Sequence, residues 1–157
     1  MAEVNVKINA GDLYDYLLTH TYNSPSGLLG SCFGALLVVI ALMKSQWLLL
    51  AAGIVLLLYL PWTLFLRSRK QALNPAFQKP LHYTLDEEGI TVSQEDVEQK
   101  QGWENMVKAV STSKSIIVYT SAINATIFPK RELGDQKAAL IQIISTHMPP
   151  SKVRIKE

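Results

Sequence analysis

Two apolar runs set what this chain can become. Leu28 to Met43 contains no charged residue, Lys44-Ser45-Gln46 interrupts, and Trp47 to Leu66 is again uncharged. A helix needs about 20 apolar residues to cross the hydrocarbon core of a bilayer, within a range of roughly 17 to 25. The second run satisfies this and the first lies near the lower limit, so residues 27–66 read as a transmembrane helical hairpin. The competing reading is a buried hairpin in a soluble protein. It would require the rest of the chain to surround two helices that are apolar on every side, and that remainder is too small and too polar. The three-residue connection makes the helices antiparallel neighbours.

The residues before the hairpin carry two further signals. Val4, Val6 and Ile8 alternate with Asn5, Lys7 and Asn9, the period of a strand with one buried face. After Ala10-Gly11, Asp12 is placed to N-cap a short amphipathic helix containing Tyr14, Leu17 and Leu18. Such a helix can lie in the headgroup layer or pack on a soluble domain. Asn23-Ser24-Pro25-Ser26-Gly27 then forms a turn. Within the first span, Gly30 and Gly34 are four residues apart, a spacing that lets two helix backbones approach closely. The partner is the second span or, alternatively, a second copy of the chain.

Charge gives the orientation. The net charge of +2 lies wholly in residues 1–70, where Lys7, Lys44, Arg67, Arg69 and Lys70 face Glu3, Asp12 and Asp15. Arg67, Arg69 and Lys70 against the single Lys44 in the connecting loop predict that both termini are cytoplasmic. Trp47 at one end and Tyr59, Trp62 and Phe65 at the other fit the aromatic belts of a span, and Pro61 falls near its end. The neutral remainder lacks the basic stripe that nucleic-acid binding needs. No secretory signal is expected, since Glu3, Asp12 and Asp15 stand where a basic region would precede the apolar core. Cys32, the single cysteine, cannot form an intrachain disulfide.

Beyond a linker over 67–80 the periodicity changes to two. Leu81, Tyr83 and Leu85, then Ile90 and Val92, predict a β-hairpin whose turn Glu87-Glu88-Gly89 calls for positive φ at Gly89. Glu95 to Gln101 suits a polar edge strand anchored by Val97. Val107–Thr112, Ser115–Tyr119 and Asn124–Phe128 read as further strands, the last two separated by Ser121 to Ile123. Leu133, Ala138, Leu140, Ile141, Ile144 and Met148 then recur at helical spacing, giving a helix over Asp135–His147. Val153 and Ile155, alternating with Lys152, Arg154 and Lys156, form a last edge strand or a basic tail. A small β-barrel or sandwich capped by the final helix accommodates this order. Val4–Ile8 offers it another strand, which would make the hairpin an excursion out of one unit. The fold class is therefore α+β: residues 1–22, the 27–66 hairpin, the 67–80 linker and an 81–157 β domain.

The order of these segments resembles a known family. Gly89-Ile90-Thr91-Val92, the stretch Gly102-Trp103-Glu104-Asn105-Met106-Val107-Lys108-Ala109-Val110, the strand Ile116-Ile117-Val118-Tyr119, and Ile127-Phe128-Pro129-Lys130-Arg131 before a final helix are similar to YcxB-like proteins. These are small bacterial membrane proteins whose C-terminal part resembles bacterial pleckstrin-homology-like domains. The resemblance implies a PH-like β-barrel capped by a helix, on a multi-pass protein of the bacterial cytoplasmic (inner) membrane. It supplies no activity, substrate, cofactor or catalytic motif.

The residues themselves offer no catalytic constellation either. His20, His82 and His147 fall on three different elements without metal-ligand spacing, and one cysteine in a span completes no zinc site. Phosphate-binding loops and nucleophile elbows are absent from the sequence. Glu87-Glu88 and Glu95-Asp96 pair carboxylates, but in turns where solvated charge is ordinary. Trp103 is placed either to bury its ring in the core with a partner for its indole N–H, or to contact a ligand. Arg67, Arg69, Lys70, Lys130 and Arg131 are the candidates for anionic lipid headgroups. These features favour a non-enzymatic, membrane-anchored binding module without a cofactor, whose partners are the bilayer, anionic lipid, or a membrane or cytosolic protein. An immunity or envelope-stress role exerted through the hairpin is the alternative. An enzyme acting on membrane substrates, with His82, Glu87 and Glu88 as its candidates, is the third and weakest reading.

Overall fold

A computed structural model describes residues 1–122 and 124–155 of the chain. Ile123 of the expected turn and Lys156 of the expected tail lie outside the described residues. Strand β1 (Ala2–Val6) begins and ends two residues earlier than the alternation alone suggests, and buries Ala2, Val4 and Val6. It pairs antiparallel with β2 (Leu81–Leu85), Val4 opposite Tyr83. Strands β3 (Gly89–Gln94) and β4 (Val97–Gly102) complete a sheet in the order β1-β2-β3-β4. A second sheet contains β5 (Lys108–Ser111), β6 (Ser115–Tyr119), β7 (Ala125–Pro129) and β8 (Val153–Arg154) in the order β7-β6-β5-β8, with β8 parallel to β5. The architecture is thus two four-stranded sheets. Among the described residues no ladder of hydrogen bonds closes them into one barrel.

One apolar cluster holds these layers together. Val6 and Leu85 of the first sheet, Ile116, Val118 and Phe128 of the second, and Leu140 and Ile144 of the final helix are fully buried in it. That helix, α6 (Gln136–His147), follows the short α5 (Lys130–Leu133). Tyr83 meets Phe128 edge-on across the sheets, with ring centroids 5.0 Å apart. Desolvation in this core pushes the Tyr83 hydroxyl up to about 12.

Helix α1 (Ala10–Tyr22) is capped by Asn9 and not by Asp12. The Asn9 side-chain oxygen accepts from the Asp12 amide at 3.0 Å, and the Asp12 carboxylate accepts from the Asn9 amide at 2.8 Å. Asp12 is therefore the third helical residue of a reciprocal capping box, a role that a carboxylate fills as well as it fills a cap. Of the two alternatives for this helix, its position shows packing on the β domain. It lies on the outer face of β6, where Tyr16 and His20 each sit 6.0 Å from the Tyr119 ring, and it also packs along the second long helix.

The long helices are α2 (Pro25–Met43) and α3 (Trp47–Ala72), joined by the expected turn at Lys44-Ser45-Gln46. Both are long and apolar enough to cross a membrane, with mean hydropathies of 2.2 and 2.3. Helix α3 does not stop at Leu66 but carries its hydrogen bonding through the basic cluster to Ala72. The next element, α4 (Pro75–Gln78), is capped by Asn74. Most of the anticipated linker is helical because Arg, Lys, Gln and Ala favour helix, and no breaker intervenes before Asn74-Pro75.

Of the two glycines spaced for a close helix approach in the first span, only Gly34 packs on the second. A Cβ on Gly34 would lie 2.9 Å from Leu57, and one on Gly53 would lie 2.9 Å from Val38 and 3.2 Å from the Gly34 carbonyl. A Cβ on Gly30 would meet nothing within 4 Å. Gly34 and Gly53 form the close approach between α2 and α3, and Gly30 faces outward. Gly53→Leu will weaken this helix pair by about 2 kcal/mol, while Gly30→Leu will change it by no more than about 0.5 kcal/mol. Denaturant titration of both variants in detergent, followed by circular dichroism, tests the contrast.

Two details of the first sheet also differ from expectation. Gly89 does not take positive φ. The turn is built instead by the Asp86 carboxylate, which accepts from the amides of Glu88 at 2.8 Å and Gly89 at 2.9 Å. Glycine is needed there because a Cβ would fall 2.1 Å from the Gln101 carbonyl oxygen on β4. Val97 is 64% exposed and anchors nothing; β4 is held by its ladder to β3.

Candidate functional site

The junction of α1 and α3 brings together apolar, aromatic and cationic side chains from both helices. Leu58, Trp62, Phe65 and Arg69 are three or four residues apart and share one face of α3. Tyr14 of α1 meets Phe65 edge-on, with centroids 5.8 Å apart and planes at 88°. Trp62 lies 6.3 Å from the same ring. Together with Tyr59 and Pro61 these side chains line an open apolar groove of about 650 Å³. The Arg69 guanidinium stands 4.8 Å above the Phe65 ring, a cation–π contact that fixes the charge at one end of the groove.

Arg67 and Lys70 point elsewhere, into a shallow recess shared with Gln71, Asn74 and Pro75. Among the described residues, none of Arg67, Arg69 and Lys70 forms an ion pair. Burial raises the Tyr16 hydroxyl, and the charge of Arg67 offsets part of that rise. Burial likewise pushes Tyr119 up to about 12, and the Lys108 ammonium stands 4.5 Å from the centre of its ring.

Lys130 and Arg131 are both engaged by other residues of the chain. Lys130 donates to the Thr112 carbonyl at 2.6 Å. Arg131 donates to the buried Asp12 carboxylate and to the Lys7 carbonyl at 2.8 Å, and its Nε lies 3.1 Å from Glu132. The guanidinium is raised above its ordinary basicity, chiefly by the hydrogen bond to Asp12. These contacts tie α5 to the start of α1. The five basic candidates thus separate into a group on α3 without ion pairs among the described residues and a pair on the β domain engaged by other residues of the chain. The Asp12–Arg131 contact joins residues far apart in sequence, and the one local clue, an acid in the first turn of α1, has the capping box as its nearer explanation.

Trp103 is buried, and its indole N–H donates to the Asp86 carbonyl at 3.0 Å. Its other face stacks on His147, with planes 10° apart and centroids at 5.3 Å. His82 Nδ1 lies 2.8 Å from the Asn5 side-chain oxygen, while His20 belongs to the Tyr119 stack. Among the described residues no three His, Cys, Asp or Glu side chains come together to hold a metal ion. Cys32 is exposed on α2. Glu87 is exposed, Glu88 pairs with Lys100, and Glu95 meets Lys79 at 2.5 Å, both ion pairs lying on the surface.

The Asp86 carboxyl is depressed below its ordinary 3.8, first by the Gly89 amide and then by the Glu88 amide, with Lys100 adding to the effect. A depressed folded value contributes stability above the unfolded value, and that contribution disappears as pH falls through the folded one. Asp86→Asn retains an acceptor for the two amides but not the charge. Below about pH 4 the midpoint temperature of the unsubstituted protein will fall more steeply than that of the variant. Thermal unfolding across this range tests the difference.

The chain therefore combines a two-sheet α+β domain with two apolar helices, and its outward basic cluster lies at their junction. Within it, residues 85–144, from the end of β2 into α6, match the family model described as YcxB-like protein. This bears out the sequence resemblance over that segment, which contains Trp103, Lys130 and Arg131 but not the long helices or the groove. No curated protein and no solved structure matches the chain.

Proposed function

We propose that the protein is a non-enzymatic interaction module held at a membrane by α2 and α3, with its β domain against the adjoining leaflet. The observation that carries this reading is the bareness of the two helices. Only 17% and 11% of their most apolar 18-residue windows are buried within the fold, and Leu29, Leu48, Tyr59 and Trp62 are among the side chains left exposed. A core helix of a soluble protein would be covered by its own chain. Side chains this apolar need lipid as their solvent. The order of four strands, three strands and a helix supports a PH-like reading of the β domain, with the helical hairpin inserted after its first strand. The outward Arg67, Arg69 and Lys70 support a cytoplasmic position for that domain and an affinity for anionic lipid or an acidic protein partner. The family resemblance points to the bacterial inner membrane.

Single cysteines placed in a Cys32→Ser chain test the anchor and its orientation. With a membrane-impermeant thiol reagent applied from the cytoplasmic side of inverted vesicles, Ser93→Cys will label and Ser45→Cys will remain protected until the vesicles are opened. The reverse pattern overturns the orientation. Labelling of both, with the protein recovered in the soluble fraction, overturns the anchor.

A further inference from the structure

We propose that the groove between α1 and α3 is a binding site for one anionic phospholipid, with an acyl chain lying along Leu58, Tyr59, Trp62 and Phe65 and its phosphate at Arg69. This rests on the membrane reading above and adds to it a defined site and ligand class. Three observations support it. First, the site is a groove with walls from two elements, since Tyr14 of α1 closes over Phe65 of α3. An ordinary lipid-facing helix presents a convex face. Second, its length fits. Val55 at the deep end and Phe65 at the mouth are ten residues apart, about 15 Å of helix, which is half of a hydrocarbon core about 30 Å thick. The groove thus spans one leaflet. Third, its mouth carries a cation that Phe65 holds in place and that has no ion pair among the described residues. A planar guanidinium matches a phosphate with two parallel hydrogen bonds.

A second copy of the chain is the other occupant to weigh. Two identical chains crossing the membrane in the same sense are related by an axis along the membrane normal. They would bring two Arg67, Arg69 and Lys70 clusters together at the same depth. That juxtaposition of like charges disfavours the pairing, whereas an anionic lipid neutralises the cluster.

Reconstitution of the full chain into phosphatidylcholine vesicles tests the proposal. The vesicles carry, at equal mole fraction, either phosphatidylglycerol or phosphatidylcholine brominated along its acyl chains, and tryptophan emission is read in two backgrounds. In Trp47→Phe the hairpin reports through Trp62, and in Trp62→Phe it reports through Trp47. Brominated phosphatidylglycerol should associate at Trp62 about fivefold more strongly than brominated phosphatidylcholine, and Arg69→Gln should reduce this ratio to about one. Trp47, at the far end of the hairpin, should show no such preference. Equal quenching of Trp62 by the two lipids would mean ordinary solvation and overturn the site. Quenching of Trp47 with Trp62 shielded from both would place a second copy in the groove, overturning the site while leaving the anchor intact. Quenching of neither would sink the anchor reading itself.

Discussion

Phe128→Ala will unfold the two-sheet domain under conditions in which the long helices persist. The Phe128 side chain is wholly buried where the sheets meet and contacts the Tyr83 ring. Truncation removes the transfer energy of the ring and leaves a cavity that β-sheets on both sides cannot collapse to fill, a loss of about 4 kcal/mol. A domain of this size has about 5–15 kcal/mol in total. Denaturant titration in detergent, followed through the buried Trp103, should show the midpoint fall sharply. The circular dichroism of α2 and α3 should be little changed, because their packing does not pass through Phe128. Val97→Ala is the matched control: its side chain is exposed, and its loss should register within about 0.5 kcal/mol.

The second large effect belongs to Arg131. Its guanidinium covers the Asp12 carboxylate, which is 2% exposed, while the arginine side chain remains 43% exposed. Deleting the two partners should therefore not be equivalent. Arg131→Ala leaves a buried carboxylate with the Asn9 amide as its remaining donor in the structure, a loss of about 3 kcal/mol. Asp12→Ala removes half of the capping box, but lets the arginine turn to water while it keeps the Lys7 carbonyl, a loss of about 1 kcal/mol. Thermal unfolding of both variants should rank them in that order. Equal losses would show that the contact is solvated and contributes as a surface pair.

These two sites illustrate what a sequence can and cannot express. The long helices were legible because they depend on composition: a run without charge is visible residue by residue, and Lys44-Ser45-Gln46 marks their turn. The strands were legible through alternation, which located β2, β3 and β6 closely. Contacts between distant residues left no such trace. Nothing near Arg131 indicates that it reaches Asp12, and nothing near Val153 indicates that its strand will run parallel to β5. Gly30 and Gly34 were visible as a pair able to approach the second span, but only Gly34 makes that approach, and Gly53, its counterpart on α3, left no such sign. In the groove, Tyr59, Trp62 and Phe65 could be read as an aromatic belt. Tyr14, which makes them a groove, enters from a helix whose packing only the fold reveals.

The pairing of β1 with β2 has a topological consequence. Val4 and Tyr83 are neighbours in one sheet, yet both long helices lie between them in the chain. A sheet cannot form across a bilayer, so the residues on either side of the helices must share a compartment. The number of crossings between them is therefore even, and parity forbids α2 from entering the membrane without α3. A span that failed to insert by itself could not be left behind. Closing one β ladder would draw it in with its partner, and a chain in which only α3 crossed would strand β1 on the wrong side, leaving the edge of β2 unpaired.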